Sequence, residues 1–163
     1  MKVVRKLLAP LLVVGILLTS LISLHQLKAD KKKDVFRIGI SQFITHQSLD
    51  ATREGFVDEL AKQGYVEGEN IEIDFQNAQG EQRNLKTISQ QLAESSDVVL
   101  AIATPSAQSL ANTTQTTPVI FSAVTDPVSA KLVESREHPG GNVTGTSDQS
   151  SDAISTQINL IKK

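Results

Sequence analysis

The sequence predicts an α/β fold, a doubly wound parallel sheet with helices on both faces. From residue 35 onward, short β-rich runs alternate with stretches whose apolar residues have helical spacing. One β-rich run, residues 97–103 (DVVLAIA), is apolar almost throughout, which is typical of a central strand. Because strand–helix–strand units form right-handed crossovers, neighbouring strands are predicted to be parallel.

The first half of the domain supplies two strands and two helices. Residues 35–41 (VFRIGIS) form a short β-rich run, and residues 48–63 place apolar side chains on one helical stripe that ends at Gly64. Residues 70–76 (NIEIDFQ) alternate apolar with acidic or polar side chains, which predicts a strand near an edge of the sheet. Leucine and isoleucine at helical spacing predict the second helix over residues 81–95.

The second half continues the alternation after the central strand. Proline stands at the start of both of its predicted helices, and proline is tolerated in the first turn of a helix. The predicted elements are a helix over 105–113, a strand over 118–123 (PVIFSA), a short helix over 127–135 and a last strand over 141–147 (GNVTGTS).

Composition restricts the function to a few classes. The chain has 163 residues, no cysteine and a net charge of −2, so about 130 residues, one domain, remain after a targeting segment. All acidic residues follow residue 27, and an acidic domain argues against a nucleic-acid partner, whose phosphates need a basic face. The lack of cysteine excludes a disulfide scaffold, a thiolate zinc site, a cysteine nucleophile and a lipid-modified cysteine anchor.

The N-terminal sequence is typical of a membrane-targeting segment. Three basic residues lie in MKVVRK, and residues 7–24 carry no charge and are long enough to cross most of a bilayer. Because no convincing cleavage site follows, a signal anchor over residues 1–27 is favoured over a cleaved signal peptide. Residues 28–34 (KADKKKD) are predicted to be a hydrated tether. The domain is therefore expected on the outer face of the cell membrane, or to be periplasmic or secreted if the segment is cleaved.

The end of the central strand is the first candidate for a binding site, because open sheets of this kind bind ligands outside the carboxyl ends of their strands. Thr104, Pro105 and Ser106 follow this strand. Thr104 is predicted to be the N-cap of the next helix and Pro105 its first residue. The Ser106 hydroxyl would then lie beside unpaired backbone N–H groups, which favours a bound carboxylate or other anion.

A second strand end repeats this pattern. The pair Asp126–Pro127 follows the next strand as Thr104–Pro105 follows the central one, and it is predicted to open the short helix. Residues 122–125 separate the pair from the strand and are predicted to form a polar shelf. An ordinary N-cap role for Asp126 remains an equally good interpretation.

The first strand is followed by the loop SQFITHQ. Gln42 can donate and accept hydrogen bonds, and Phe43 offers an apolar face to a ligand ring. His46 is interpreted as a loop histidine and not as a catalytic one, because no triad or metal-ligand spacing surrounds it. Asn77 and Gln79 also follow a strand, but an ordinary turn is the better interpretation there.

The motifs of several enzyme classes are missing from the sequence. It contains no phosphate-binding loop, no dinucleotide fingerprint and no pair of catalytic carboxylates. An enzyme is therefore not supported, and no cofactor or metal is expected. The polar strand ends instead favour a site that binds a small charged solute.

Four sequence blocks occur in order along the chain: IGISQFITHQSLDATREGFVDELAKQGYVEGENIEIDFQNAQGE, AIATPSAQ, VIFSAVTDPVSAKLVES and PGGNVTGTSD. Together they resemble the substrate-binding proteins of ABC transporters in the tryptophan/tyrosine uptake group. The resemblance implies a type I periplasmic-binding-protein fold, in which two α/β lobes close on an amino acid, with an ABC permease as the membrane partner. The implied function is an extracytoplasmic substrate-binding component of an importer for an aromatic, tryptophan-like amino acid.

The resemblance also implies which residues face the ligand. A carboxylate would lie toward Thr104 and Ser106, and an ammonium group toward Asp126 or Asp148. The implied ligand-facing residues are Gln42, Phe43, Thr104, Ser106, Ser122, Ala123, Thr125, Asp126 and Asp148.

The length of the chain departs from this resemblance. Because members of the group are longer, residues 35–146 would be the N-terminal ligand-binding lobe, and residues 147–163 the hinge and first helix of a missing second lobe. Such a fragment is expected to bind amino acids weakly or not at all. An extracytoplasmic sensor domain of the same fold is the alternative function. A transcription repressor of this architecture would need a basic helix-turn-helix where this chain has an apolar segment.

Overall fold

Five parallel strands form one sheet in the computed structural model, which describes residues 35–148. The strands are β1 (Phe36–Gln42), β2 (Ile71–Asn77), β3 (Val98–Ile102), β4 (Val119–Val124) and β5 (Val143–Ser147). The helices are α1 (Gln47–Lys62), α2 (Gln82–Ser95) and α3 (Thr104–Thr113). The strand order is β2-β1-β3-β4-β5. The predicted parallel α/β fold is confirmed.

Helices cover both faces of this sheet. On one face, α1 packs over Ile38, Ile40 and Leu100. On the other face, α2 and α3 pack over Val99 and Ala101. Consecutive β3 residues alternate between the two clusters, and the last four are almost completely buried, as predicted for the central strand. Full burial of such an aliphatic side chain contributes about 1.5–3 kcal/mol, so the two clusters dominate the stability of the domain.

β2 lies at one edge of the sheet, as its alternating sequence predicts. Glu72 and Asp74 on one face of the strand, and Phe75 on the opposite face, are exposed. The Arg53 guanidinium on α1 lies 4.7 Å from the centre of the Phe75 ring and covers part of it. The edge strand is therefore covered by a charged side chain from the helix that precedes it.

The order of the strands reverses at β1. The chain passes from β1 through α1 to β2 on one side, and then through α2 to β3 on the other side of β1. The boundary between β1 and β3 is therefore the switch point at which ligands bind in open α/β sheets. Gln42 pairs in register with Asn77 and Ile102, and Ile102 pairs with Ser122. The carboxyl ends of these four strands therefore lie side by side at the same end of the sheet.

The predicted short helix over 127–135 is wrong. Residues 127–131 form turns, and the N–H of Ala130 donating to the carbonyl of Asp126 makes one helical turn that does not continue. Lys131 has a positive φ of 58°, which ends helical geometry, and the N–H of Leu132 returns to the carbonyl of Pro127 at 2.9 Å. Burial of Leu132 against the sheet draws the chain inward before a second turn can form.

Three of the predicted segments lie wholly or mostly outside the described residues. They are the targeting segment 1–27, the tether 28–34 and all but the first two residues of the segment 147–163. Within residues 35–148, no helix is long and apolar enough to cross a membrane.

Replacing either of two glycines by alanine should change the free energy of unfolding, in opposite directions at the two positions. An added Cβ at Gly145 would overlap the carbonyl oxygen of Phe121 and lie 2.7 Å from its ring, whereas one at Gly55, within α1, would meet nothing within 4 Å. Gly145→Ala is expected to lower the free energy of unfolding by about 1–3 kcal/mol, because β4 and β5 must move apart. Gly55→Ala should raise it by about 0.5–1 kcal/mol, since alanine favours the helix. Denaturant unfolding of both variants tests this, and a shift of the same sign in both would contradict it.

Candidate functional site

The corner between β3 and α3 contains a strained residue. β3 ends at Ile102 and α3 begins at Thr104, so Ala103 alone makes the turn. Its φ of 78° and ψ of 153° lie in a region that is almost restricted to glycine. The Ala103 N–H donates to the carbonyl of Ser122 at 3.0 Å, and its carbonyl accepts the first helical bond from Ala107 at 3.1 Å. These two bonds hold the start of α3 against the ends of β3 and β4.

The predicted N-cap of this helix is one residue too late. Ala103 is the N-cap and makes no side-chain capping bond, while Thr104 and Pro105 occupy the first and second helical positions. Because β3 ends at Ile102 and α3 begins at Thr104, the one residue between them, Ala103, must be the N-cap. The first-turn N–H groups of α3 have no intrahelical partners and receive no capping side chain.

Three buried oxygens near this corner have no hydrogen-bond partner within residues 35–148. They are Oγ of Ser41, Oε1 of Gln42 and Oγ of Ser106. Leaving such a group unpaired costs about 1–3 kcal/mol. All three residues are completely buried. Ser41 and Gln42 end β1 and Ser106 opens α3, so the three oxygens lie on both sides of the switch point.

Both N–H groups of the Gln42 side-chain amide donate hydrogen bonds. Its Nε2 donates to the carbonyl oxygen of Ile44 at 2.9 Å and to Oδ1 of Asp50 at 2.8 Å. Asp50 lies in the first turn of α1, where a negative charge is favoured by the helix dipole. Sequence reasoning missed this contact, because eight residues separate the partners and no residue spacing indicates it.

The loop after β1 is held by the loop after β2. The N–H of Ala78 donates to the Gln42 carbonyl at 2.9 Å, and the N–H of Gly80 donates to the Phe43 carbonyl at 2.8 Å. Asn77 adds a bond from Nδ2 to Oγ1 of Thr45 at 3.1 Å. The segment interpreted from sequence as an ordinary turn therefore supports the loop that carries Phe43.

Phe43 and His46 have different roles in this first loop. Phe43 is half-buried and packs against the cluster under α2 and α3. His46 is the N-cap of α1, where its Nδ1 accepts a bond from the N–H of Ser48 at 3.3 Å. The imidazole is thus part of a helix end, in line with its interpretation as a loop histidine.

The predicted polar shelf, residues 122–125, lies mostly within β4, which runs to Val124, and it is tied to β5. Oγ of Ser122 lies 3.3 Å from Oγ1 of Thr146, and the carbonyl of Thr125 accepts a bond from Oγ of Ser147 at 2.7 Å. Ala123 has a positive φ of 55°, at the irregularity in the pairing of β4 with β5. Thr125 and the predicted site residue Asp148 are exposed, and the Asp148 N–H donates to the carbonyl of Val124 at 3.2 Å.

The Asp126 carboxylate caps a turn and does not open a helix. It accepts bonds from the N–H groups of Val128 and Ser129 at 3.2 and 3.1 Å, and from Oγ of Ser129 at 2.6 Å. The bond from the Ser129 hydroxyl lowers the pKa of Asp126 most, and the backbone bonds add to it. Its local donors therefore already use much of the capacity of this carboxylate. Within residues 35–148, no group of three acidic or histidine side chains could hold a metal ion.

Comparison with known families decides the class of protein. A family model described as ABC transporter substrate binding protein matches residues 37–163. This chain belongs to that family. Its five-stranded parallel sheet is consistent with one lobe of a periplasmic binding protein. The family is one of solute-binding proteins, so the resemblance drawn from the four sequence blocks is confirmed.

Several relatives are similar along most of the chain. The tyrosine-binding protein of Clostridioides difficile (strain R20291) is 48% identical over 136 residues, 83% of this chain and 39% of that protein. A ligand-free, open substrate binding protein with adhesive properties from Clostridium difficile has 47% identity and a TM-score of 0.73, covering 78% of this chain and 43% of its own. An ABC domain in complex with L-Trp from Streptococcus pneumonia has 45% identity and a TM-score of 0.73, covering 79% and 43%. This chain spans about two fifths of the length of these relatives.

The strain at Ala103 can be measured directly. Ala103→Gly is expected to leave the free energy of unfolding unchanged or to raise it, because release of about 1–3 kcal/mol of strain offsets the extra entropy of glycine in the unfolded chain. Ala111→Gly, later in the same helix, should lower it by about 1 kcal/mol. Denaturant unfolding compares the two variants, and equal losses would contradict the strained geometry.

The turn at Asp126 predicts a pH dependence of stability. Because the folded pKa lies below its ordinary value of 3.8, the stabilisation is complete above that value and is lost as the pH falls through the folded pKa. The stability advantage of the unmodified protein over Asp126→Asn should therefore shrink between pH 7 and about pH 3. Ser129→Ala should remove part of the same dependence. Unfolding at several pH values tests this, and an advantage that grows on acidification would refute it.

Proposed function

We propose that this chain provides a ligand-binding lobe of an extracytoplasmic substrate-binding component of an ABC importer for aromatic amino acids. The observation that carries the proposal is the buried, unpartnered hydroxyl of Ser106 in the first turn of α3. The hydroxyl lies next to the switch point of the sheet, where the fold binds ligands. An unpaired buried donor at the positive end of a helix favours an anionic partner.

The ligand carboxylate is assigned to the start of α3. Thr104 is half-buried and Ser106 is completely buried, so binding requires neighbouring side chains to move. The first-turn N–H groups lack a capping side chain, and a carboxylate would accept hydrogen bonds from them and from the Ser106 hydroxyl. Interaction with the helix end contributes about 0.3–2 kcal/mol, so it orients the ligand more than it captures it.

An aromatic side chain is the proposed second feature of the ligand. The relatives named above include a tyrosine-binding protein and a domain with bound L-Trp, and their sequences are similar to this chain over about four fifths of its length. Phe43 is half-buried beside Gln42, and the exposed part of its ring could contact a ligand ring. Ser122 and Thr125 would form the polar side of the same site, with Ala123 between them.

The cellular context is also proposed and not observed. The uncharged segment over residues 7–24 would anchor the domain on the outer face of the membrane, beside an ABC permease. If the segment is cleaved, the domain would be periplasmic or secreted. One lobe covers a ligand from one side only, so this chain by itself should bind more weakly than a closed two-lobed protein.

Substitution of Ser106 tests the proposal, because stability and binding should respond differently. Ser106→Ala removes an unpartnered hydroxyl, so the free energy of unfolding should stay the same or increase. Binding of L-tryptophan should weaken at least about tenfold, since the hydroxyl would bond a charged carboxylate. Binding of tryptamine, which has no carboxylate, should not change. Chemical shifts in NMR titrations measure both affinities even when binding is weak.

A matched control lies one helical turn further along α3. Oγ of Ser109 accepts a bond from Oγ of Ser89 at 2.7 Å. Ser109→Ala should therefore lower stability by about 1–3 kcal/mol, because it leaves the buried Ser89 hydroxyl without its acceptor. It should not change the ratio of the two affinities. If Ser106→Ala weakens L-tryptophan and tryptamine equally, the carboxylate assignment is wrong.

A further inference from the structure

Four exposed apolar side chains lie at the amino ends of the strands, the end of the sheet opposite to the candidate site. Val35 and Phe36 stand at the start of β1, and Tyr65 and Val66 lie in the loop between α1 and β2. Their exposed fractions run from 36% to 51%, and they are four of the eight large apolar side chains exposed within residues 35–148. Single exposed apolar residues are ordinary, but the clustering of these four, the amino-end patch, indicates a contact surface.

Hydrogen bonds through Asn70 hold the two segments of the amino-end patch together. The N–H of Phe36 donates to the Asn70 carbonyl at 3.3 Å, and the N–H of Val66 donates to Oδ1 of Asn70 at 2.7 Å. Nδ2 of Asn70 donates to the Gly64 carbonyl at 2.8 Å. Asn70 therefore joins the start of β1 to the loop that carries Tyr65 and Val66. The arrangement of the patch is set by the fold.

The amino-end patch lies where the chain enters the domain. Residues 25–34 separate Val35 from the uncharged segment over residues 7–24. Ten extended residues span at most about 36 Å, so a membrane held by that segment would be within reach of the patch. Residues 28–34 contain four lysines and two aspartates, a net charge of +2, which anionic lipid headgroups attract.

The side chains of the amino-end patch suit the interfacial layer of a bilayer. Tyrosine is enriched at this depth, because its ring lies against apolar groups while its hydroxyl reaches water. Tyr65 is the most exposed member of the patch. Glu67 and Glu69 are exposed in the same loop, and burying their charges in hydrocarbon would be costly. The contact that fits this loop is therefore at the depth of the headgroups.

We propose that the amino-end patch rests on the outer surface of the membrane. This inference rests on the anchoring part of the proposed function. A tether keeps the domain at a high effective concentration near the bilayer, so even a small patch is enough to make contact. With the amino ends of the strands toward the lipid, their carboxyl ends and the candidate site face away from the bilayer and stay open to solutes.

The intrinsic fluorescence of the protein reports on Tyr65 alone, because the chain contains one tyrosine and no tryptophan. The full chain is reconstituted into phosphatidylcholine vesicles, with or without bromine on the acyl chains close to the headgroup. Bromine quenches a fluorophore that it contacts, so Tyr65 fluorescence should be at least about twofold lower in the brominated vesicles if the patch lies in the interface. Equal fluorescence in the two kinds of vesicle would overturn the proposal.

Two matched double variants test whether the patch itself makes the contact. Phe36→Ser with Val66→Ser removes two apolar side chains from the patch and keeps Tyr65. Phe75→Ser with Val128→Ser makes the same changes near the carboxyl ends of β2 and β4, at residues of similar exposure. The first variant should reduce the quenching at least about threefold, because apolar area is lost at the interface. The second should leave it unchanged, and equal quenching in the two variants would contradict the role of the patch.

Flotation of the vesicles separates this inference from the anchoring on which it rests. If the full chain floats with the vesicles but brominated lipid does not quench Tyr65, the inference is wrong and the anchoring stands. If Tyr65 is also shielded from acrylamide in that case, a protein surface covers the patch in place of lipid. If the chain does not float, the anchoring and the inference are both wrong. None of these outcomes depends on amino-acid binding, which the Ser106 variants test separately.

Discussion

The direct join between β3 and α3 is the constraint on which the rest of the site depends. With no linker between them, the chain must turn at Ala103, in a conformation that costs an alanine about 1–3 kcal/mol. The bond from its N–H to the Ser122 carbonyl ties this turn to β4. The strain is local, but its effect is to direct the uncapped start of α3 toward the switch point of the sheet. The same corner therefore organises the fold and the proposed anion site.

The domain leaves polar atoms unpaired where a stable fold would pair them. Ser41, Gln42 and Ser106 are buried among well-packed aliphatic clusters, yet one oxygen of each has no partner within residues 35–148. Other buried polar groups nearby are paired, as the Ser89–Ser109 bond shows. The three unpaired oxygens therefore lie at the end of β1 and in the first turn of α3. Such local deficits are common where a ligand completes the hydrogen bonds.

The sequence predicted the fold because apolar periodicity and strand order are local signals. It found all five strands, the edge position of β2 and the helices α1, α2 and α3 to within about two residues. The prediction failed at the starts of two predicted helices, where backbone geometry and burial outweigh the preference of a capping side chain. A threonine before a proline resembles an N-cap, but α3 already begins at Thr104, so Ala103 is the N-cap. An aspartate before a proline resembles a helix start, but burial of Leu132 stopped the helix after one turn.

The hydrogen bonds that the predicted site residues make could not be predicted from the sequence. Sequence shows that Asp126 is charged and Gln42 is not, which favours Asp126 as the ammonium acceptor. In the structure, three local donors bond the Asp126 carboxylate, whereas Asp50 and Ile44 bond only the nitrogen of the Gln42 amide. Oε1 of Gln42 is therefore left without a partner within residues 35–148. Affinity at a buried site depends on the hydrogen bonds still open to a ligand, and these depend on contacts between residues that are distant in any motif.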